Sequence, residues 1–139
     1  MSNSKLNEMS VNIRIKLVAL WAALMFFYIY GDYFALYIPQ EASKLVSGDT
    51  LLNSPLKLFA ASVLLSIPPL VIIASVMASA TLARILNIIF GVVFTAIMLL
   101  IAATSIAPEW AAYVFYALVE SVITIVIVWQ AWNWPKTNT

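Results

Sequence analysis

Four long apolar stretches, separated by short polar ones, run along the chain at about residues 17–38, 56–78, 85–107 and 111–132. Each holds roughly 22 residues, close to the ~20 that a helix rising 1.5 Å per residue needs to cross ~30 Å of hydrocarbon. No segment alternates polar and apolar residues with period two, which excludes a transmembrane barrel. Hydrocarbon offers a bare backbone no water, so each stretch is read as a helix. The pattern predicts an all-α, four-transmembrane-helix bundle forming one membrane domain over residues 1–139.

The polar interruptions carry helix punctuation. Ser54-Pro55 offers an N-cap and a first-turn proline to the second span. Thr81 is the candidate cap for the third. Pro108-Glu109 opens the fourth, with Glu109 at the positive end of the helix dipole. The connection around Ser79–Thr81 is so short that the second and third spans must be antiparallel neighbours. Residues 40–53 form the one sizeable loop, in which Glu41 to Val46 is expected to make a helical turn or two, stopped by Gly48. The first stretch is too long for a signal-peptide core and lacks a cleavage pattern, so it is expected to be retained. No internal repeat is evident.

Composition sharpens this picture. The chain is 64% hydrophobic and 9% charged, with a mean hydropathy of +1.01. A soluble domain is nearer half apolar and a quarter charged. A net charge of +1 lacks the basic footprint of a nucleic-acid binder. The absence of Cys and His excludes disulfides, thiol chemistry and His-ligated haem, and no metal or cofactor is expected. There is no nucleotide-binding loop, zinc pattern or Ser/His/Asp set, so no enzyme activity is expected.

Charge placement sets the expected orientation. Lys5, Arg14, Lys16, Arg84 and Lys136 fall on one side; Lys44 and Lys57 fall on the other. The richer side is expected to be cytoplasmic, with both termini there. Trp129, Trp132 and Trp134 then mark the inner interface, and Tyr37, Trp110 and Tyr113 the outer one.

The candidate chemistry lies in two carboxyls inside the spans, Asp32 and Glu120. Helical rise puts Asp32 ~9 Å and Glu120 ~15 Å below the outer boundary, so they meet if the first and fourth spans are neighbours. No Lys or Arg lies at that depth. A charged acid at a helix centre costs ~2.5–3.5 kcal/mol even on insertion scales, so the uncharged form is the less costly one. Tyr28 precedes Asp32 by one turn. Tyr113, Tyr116, Glu120 and Thr124 line up on the fourth span. The second span carries Ser62 and Ser66, then Pro68 and Pro69, which are expected to kink it and release the carbonyls of Leu64 and Leu65. Asp32, Glu120, Tyr28, Tyr116, Ser66 and Thr124 together form a candidate buried polar pocket for a proton, a small cation or another polar ligand. The alternative is structural: protonated acids that hydrogen-bond across helices, at ~0.6–2 kcal/mol per contact.

Other polar positions read as structural. Asn87, Gly91 and Thr95 form a small or polar stripe on the third span, suited to helix packing within the bundle or, if lipid-facing, to a homo-oligomer. Arg84 is expected at the headgroup level, bound to a lipid phosphate.

Tyr30-Gly31-Asp32, Ile67-Pro68, Arg84-Ile85-Leu86-Asn87-Ile88, and Glu120 with Trp129-Gln130-Ala131-Trp132-Asn133-Trp134 cover nearly the whole chain in order. By these motifs the chain resembles a family of small, uncharacterised four-helix bacterial membrane proteins. More distantly it is similar to DoxX-like proteins, some of which are associated with quinone-linked oxidoreductases. In the first family an acid often precedes the Ile-Pro pair; here that position is Ser66, so a three-carboxyl site is not expected. The resemblance implies a multi-pass protein of the bacterial inner membrane and supplies no activity. The leading expectation is a non-enzymatic, oligomeric bundle or accessory subunit in contact with the bilayer. The alternatives are a proton-linked small-solute module using Glu120 and Asp32, and a quinone-linked redox accessory.

Overall fold

The computed structural model describes residues 9–136. Its helices are α1 (Ile13–Ala35), α2 (Glu41–Ser47), α3 (Pro55–Met77), α4 (Ala80–Thr104) and α5 (Ala111–Trp132), with one 3₁₀ turn at Pro108–Trp110 leading into α5. Among the described residues there is no strand, and four of the helices are long and apolar enough to cross a membrane. Lys5 lies outside the described residues.

Caps explain where the helices start. Asn12 Oδ1 accepts from the Arg14 amide at 2.9 Å, so α1 begins a full turn before its apolar stretch. Ser54 Oγ accepts from Lys57 N at 3.3 Å, as the sequence suggested. For α4 the cap is Ser79, which accepts from Leu82 N at 3.4 Å, and not Thr81. The expected starts at 17 and 85 are therefore late. Apolarity marks where hydrocarbon begins, whereas the helices extend into polar first turns carrying Arg14, Lys16 and Arg84. In the loop, α2 stops at Gly48, whose φ of 77° is a left-handed value that glycine adopts without strain.

The four long helices form a closed ring in which α1 packs on α3, α3 on α4, α4 on α5, and α5 back on α1. Buried positions step by fours and threes: Leu17, Trp21, Leu24, Tyr28 and Gly31 on α1, and Ala117, Glu120, Thr124, Ile127 and Ala131 on α5. That seven-residue period keeps one seam inward when helices wind left-handedly, the packing of antiparallel bundles. Large apolar side chains such as Phe26, Phe59, Leu100 and Val122 point outward, as lipid-facing positions do.

The structure also shows a correspondence between the two hairpins. Arg14, Leu17, Trp21, Leu24 and Tyr28 on α1 match Arg84, Asn87, Gly91, Phe94 and Met98 on α4, with identical spacing. Arg14 Nη1 donates to the carbonyls of Ser75 (2.8 Å) and Ala78 (2.9 Å), where α3 ends. Arg84 donates from Nε to Ala131 O (3.1 Å) and from Nη2 to Trp132 O (3.3 Å), where α5 ends. Each arginine thus caps its partner helix with positive charge at the negative end of the dipole. Only the arginine is common to both sets, so identity alone hides the match. Nε and Nη2 of Arg84 are thus bonded to the end of α5, at the level where a headgroup contact was expected. The Arg14 guanidinium also lies 5.5 Å from the Trp134 ring, so both ends of the described chain sit at one end of the bundle.

Polar groups at the centre tie diagonal helices together. Trp21 Nε1 donates to Asn87 Oδ1 at 2.8 Å, and Asn87 Nδ2 donates to Ser75 Oγ and Ala83 O, each at 2.8 Å. Asn87 is fully buried, and Gly91 is buried against α5. Asn87 and Gly91 of the stripe thus face the bundle interior, the first of its two expected places, and half-buried Thr95 bonds Thr124 of α5. An amide is least costly where its hydrogen bonds are met, and that place is the bundle centre.

Candidate functional site

Helix α3 departs from the pattern of its neighbours. Pro68, Val71 and Ser75 are buried, but no residue from Pro55 to Ile67 is. The change falls at Pro68-Pro69, through which α3 runs unbroken. Those prolines cannot donate to the carbonyls of Leu64 and Leu65. Where α3 gives up close packing, a cavity of about 490 Å³ opens between the four long helices, at the end away from the termini. Its volume falls within the range of small-molecule sites.

The walls are mostly apolar. Helix α3 contributes Ala61, Leu64 and Leu65, and α4 contributes Phe94, Ile97, Met98 and Ile101. Leu51 and Leu52 of the loop close over it. The polar groups come from the adjacent helices α1 and α5: Tyr28 and Asp32 from the first, Tyr113, Tyr116 and Glu120 from the second. The expected meeting of the first and fourth spans is present. Gly31 makes room for it: a Cβ built there would lie 3.8 Å from Glu120 Oε1 and 3.8 Å from Tyr116 Cβ.

The two acids differ in setting. Glu120 is 5% exposed and Asp32 sits exposed at the rim. Glu120 is within electrostatic reach of Asp32, and Tyr113 is within reach of both. Among the described residues no hydrogen bond engages either carboxyl, and the one ion pair is Lys44 with Glu41 in α2. Tyr28 is 8% exposed, and its hydroxyl is buried without a hydrogen-bond partner. A buried donor left unmade costs ~1–3 kcal/mol, so an orphan hydroxyl on a cavity wall calls for an explanation.

Two expected members are elsewhere. Ser66 is exposed on α3, where its hydroxyl donates to Val63 O at 2.7 Å. Its position next to the prolines puts it on the outer face. Thr124 is fully buried one turn beyond Glu120 and bonds Glu120 O at 3.1 Å and Ser121 O at 2.9 Å. Thr95 Oγ1 reaches Thr124 Oγ1 at 2.7 Å, so this pair joins α4 to α5 and does not line the cavity. Tyr113 and Gly31 belong to the site and were not among its expected members. Tyr113 was readable, standing three residues before Tyr116 on one face. Leu51 and Leu52 lie in a loop without periodicity, and nothing in the sequence points to them.

Four apolar helices around a cavity with carboxyls on its wall define a multi-pass integral membrane protein. The chain belongs to the DUF6326 family, a family of unknown function whose model matches residues 4–139. No curated protein and no solved structure matches it.

Proposed function

We propose that this protein is a proton-linked binding and transport module for small membrane-soluble solutes, with Glu120 as the protonatable residue and Asp32 as its neighbour. One observation carries this reading: Glu120 and Tyr28, whose buried hydroxyl has no partner, both line a cavity large enough for a ligand. A purely structural role for the acids finds less support. Cross-helix bonding at the centre is done by Trp21, Asn87 and Ser75 instead. The quinone-linked role rests on the distant resemblance alone.

The proposed setting is a bacterial inner membrane with both termini cytoplasmic. Among the described residues, the terminal end carries Arg14, Lys16, Arg84 and Lys136 and no carboxylate. In proteoliposomes holding a pH-sensitive dye, solute addition is expected to move protons through the wild type. Glu120→Gln keeps the shape and removes the titrating proton, so the flux should vanish. Equal flux in the two proteins would refute the proposal.

A further inference from the structure

We infer that the cavity takes a lipophilic amine, its ammonium group held between Asp32, Glu120 and the Tyr28 hydroxyl and its apolar body against α3 and α4. The inference rests on the binding-module reading and names its ligand class.

The charge balance of the walls excludes the other classes. The titratable groups facing the carboxyls are Tyr28 on α1 and Tyr113 and Tyr116 on α5. What α3, α4 and the loop present there is apolar, so no protein cation meets the acids. An anion would meet two acids and no counter-charge. A neutral alcohol brings no charge to offset an ionised carboxyl, so it gains only a neutral hydrogen bond with the protonated acid and releases no proton. A bare metal ion seeks a shell of six or so oxygens, and no cluster of three or more acidic ligands exists among the described residues.

An ammonium fits on three counts. It has three donors and no acceptor, and the cavity wall carries two carboxyls and, beside them, Tyr28 with its buried, unpartnered hydroxyl. Tyr113 and Tyr116 stand on the cavity wall with the acids, so aromatic rings are at hand for a cation. The hydrocarbon remainder matches Leu64, Leu65, Ile97 and Met98. The loosely packed half of α3 is a lateral route, so the ligand enters from the lipid. The exchange balances: an alkylammonium enters, a protonated Glu120 gives up its proton to the medium, and carboxylate and ammonium remain paired.

The test uses the full chain in lipid nanodiscs, titrated calorimetrically with n-alkylamines from butylamine to dodecylamine and with the matching alcohols and carboxylates. Two buffers of different ionisation enthalpy report the protons released. Amines are expected to saturate the site at least about tenfold tighter than matched alcohols, as charge-assisted contacts are the stronger ones, with proton release. Glu120→Gln should abolish the release and weaken binding about tenfold or more. Tyr28→Phe should weaken it roughly two- to tenfold, the worth of one net hydrogen bond. Ala61→Phe, which fills the cavity, should remove saturable binding and so separates it from partitioning into lipid. If Glu120→Gln does not assemble, Asp32→Asn and proton release by the wild type decide the matter. Alcohols or carboxylates binding as tightly as amines would overturn the amine assignment and leave the cavity reading standing. No saturable binding in any series, or binding unchanged by Ala61→Phe, would overturn both.

Discussion

Through one amide, Asn87 holds three helices. It accepts from Trp21 of α1 and donates to Ser75 of α3 while standing on α4. Asn87→Leu would leave the buried indole N–H without a partner. A loss of ~1–3 kcal/mol is expected, read as a lower unfolding midpoint in detergent. Ser75→Ala removes the bonds from Asn87 Nδ2 and to Val71 O but leaves Asn87 Nδ2 its bond to Ala83 O, and should cost less, nearer ~0.6 kcal/mol per bond. Gly91 makes a steric argument of the same kind. A methyl there would stand 2.6 Å from Val128 Cγ2, closer than real contacts allow. Gly91→Ala should therefore cost ~1–3 kcal/mol unless Val128 yields. Combining it with Val128→Ala should restore most of the loss, since the next atoms, Thr124 O at 3.5 Å and Ile127 Cγ2 at 3.6 Å, are at ordinary contact distance; failure to do so would refute the steric account.

Among the elements, the helix ends are tied by charge. Arg84→Ala exposes the last carbonyls of α5, and Arg14→Ala those of α3. Each should cost ~0.3–2 kcal/mol. The sharper check is hydrogen exchange, which should speed up around 131–134 in the first variant and around 75–78 in the second, not the reverse. In α2 the Glu41 carboxylate, 2.7 Å from Lys44 Nζ, raises the lysine pKa above its ordinary value. The sign follows: the pair contributes below the usual lysine range and is lost as pH rises through the raised value. Glu41→Gln should thus change little at neutral pH beyond lowering the Lys44 titration, which NMR can follow. These ties explain what the sequence could and could not tell. Span number and order were legible because hydropathy reports hydrocarbon directly. The starts of α1 and α4 were not, because both helices run back into polar first turns, where Arg14 and Arg84 turn to carbonyls their own sequence neighbourhood does not contain. The acid pair was legible by depth along two helices; the outward place of Ser66 was not, because it depends on which face of α3 turns inward, and that face carries Pro68, Val71 and Ser75.

For the whole molecule, the even number of spans puts both ends of the described chain together, and the lack of native cysteine allows single labels. Asp49→Cys is expected to react with an impermeant maleimide in intact cells, and Ser10→Cys only after permeabilisation. The opposite pattern would invert the proposed orientation. The unpacked half of α3 has a consequence for how affinity is to be measured. If acyl chains complete one wall, the relevant concentration of any occupant is its concentration in the bilayer, set by its partition coefficient. Apparent dissociation constants quoted per volume of buffer should then drift with the lipid-to-protein ratio, while those expressed as mole fraction in the membrane stay fixed.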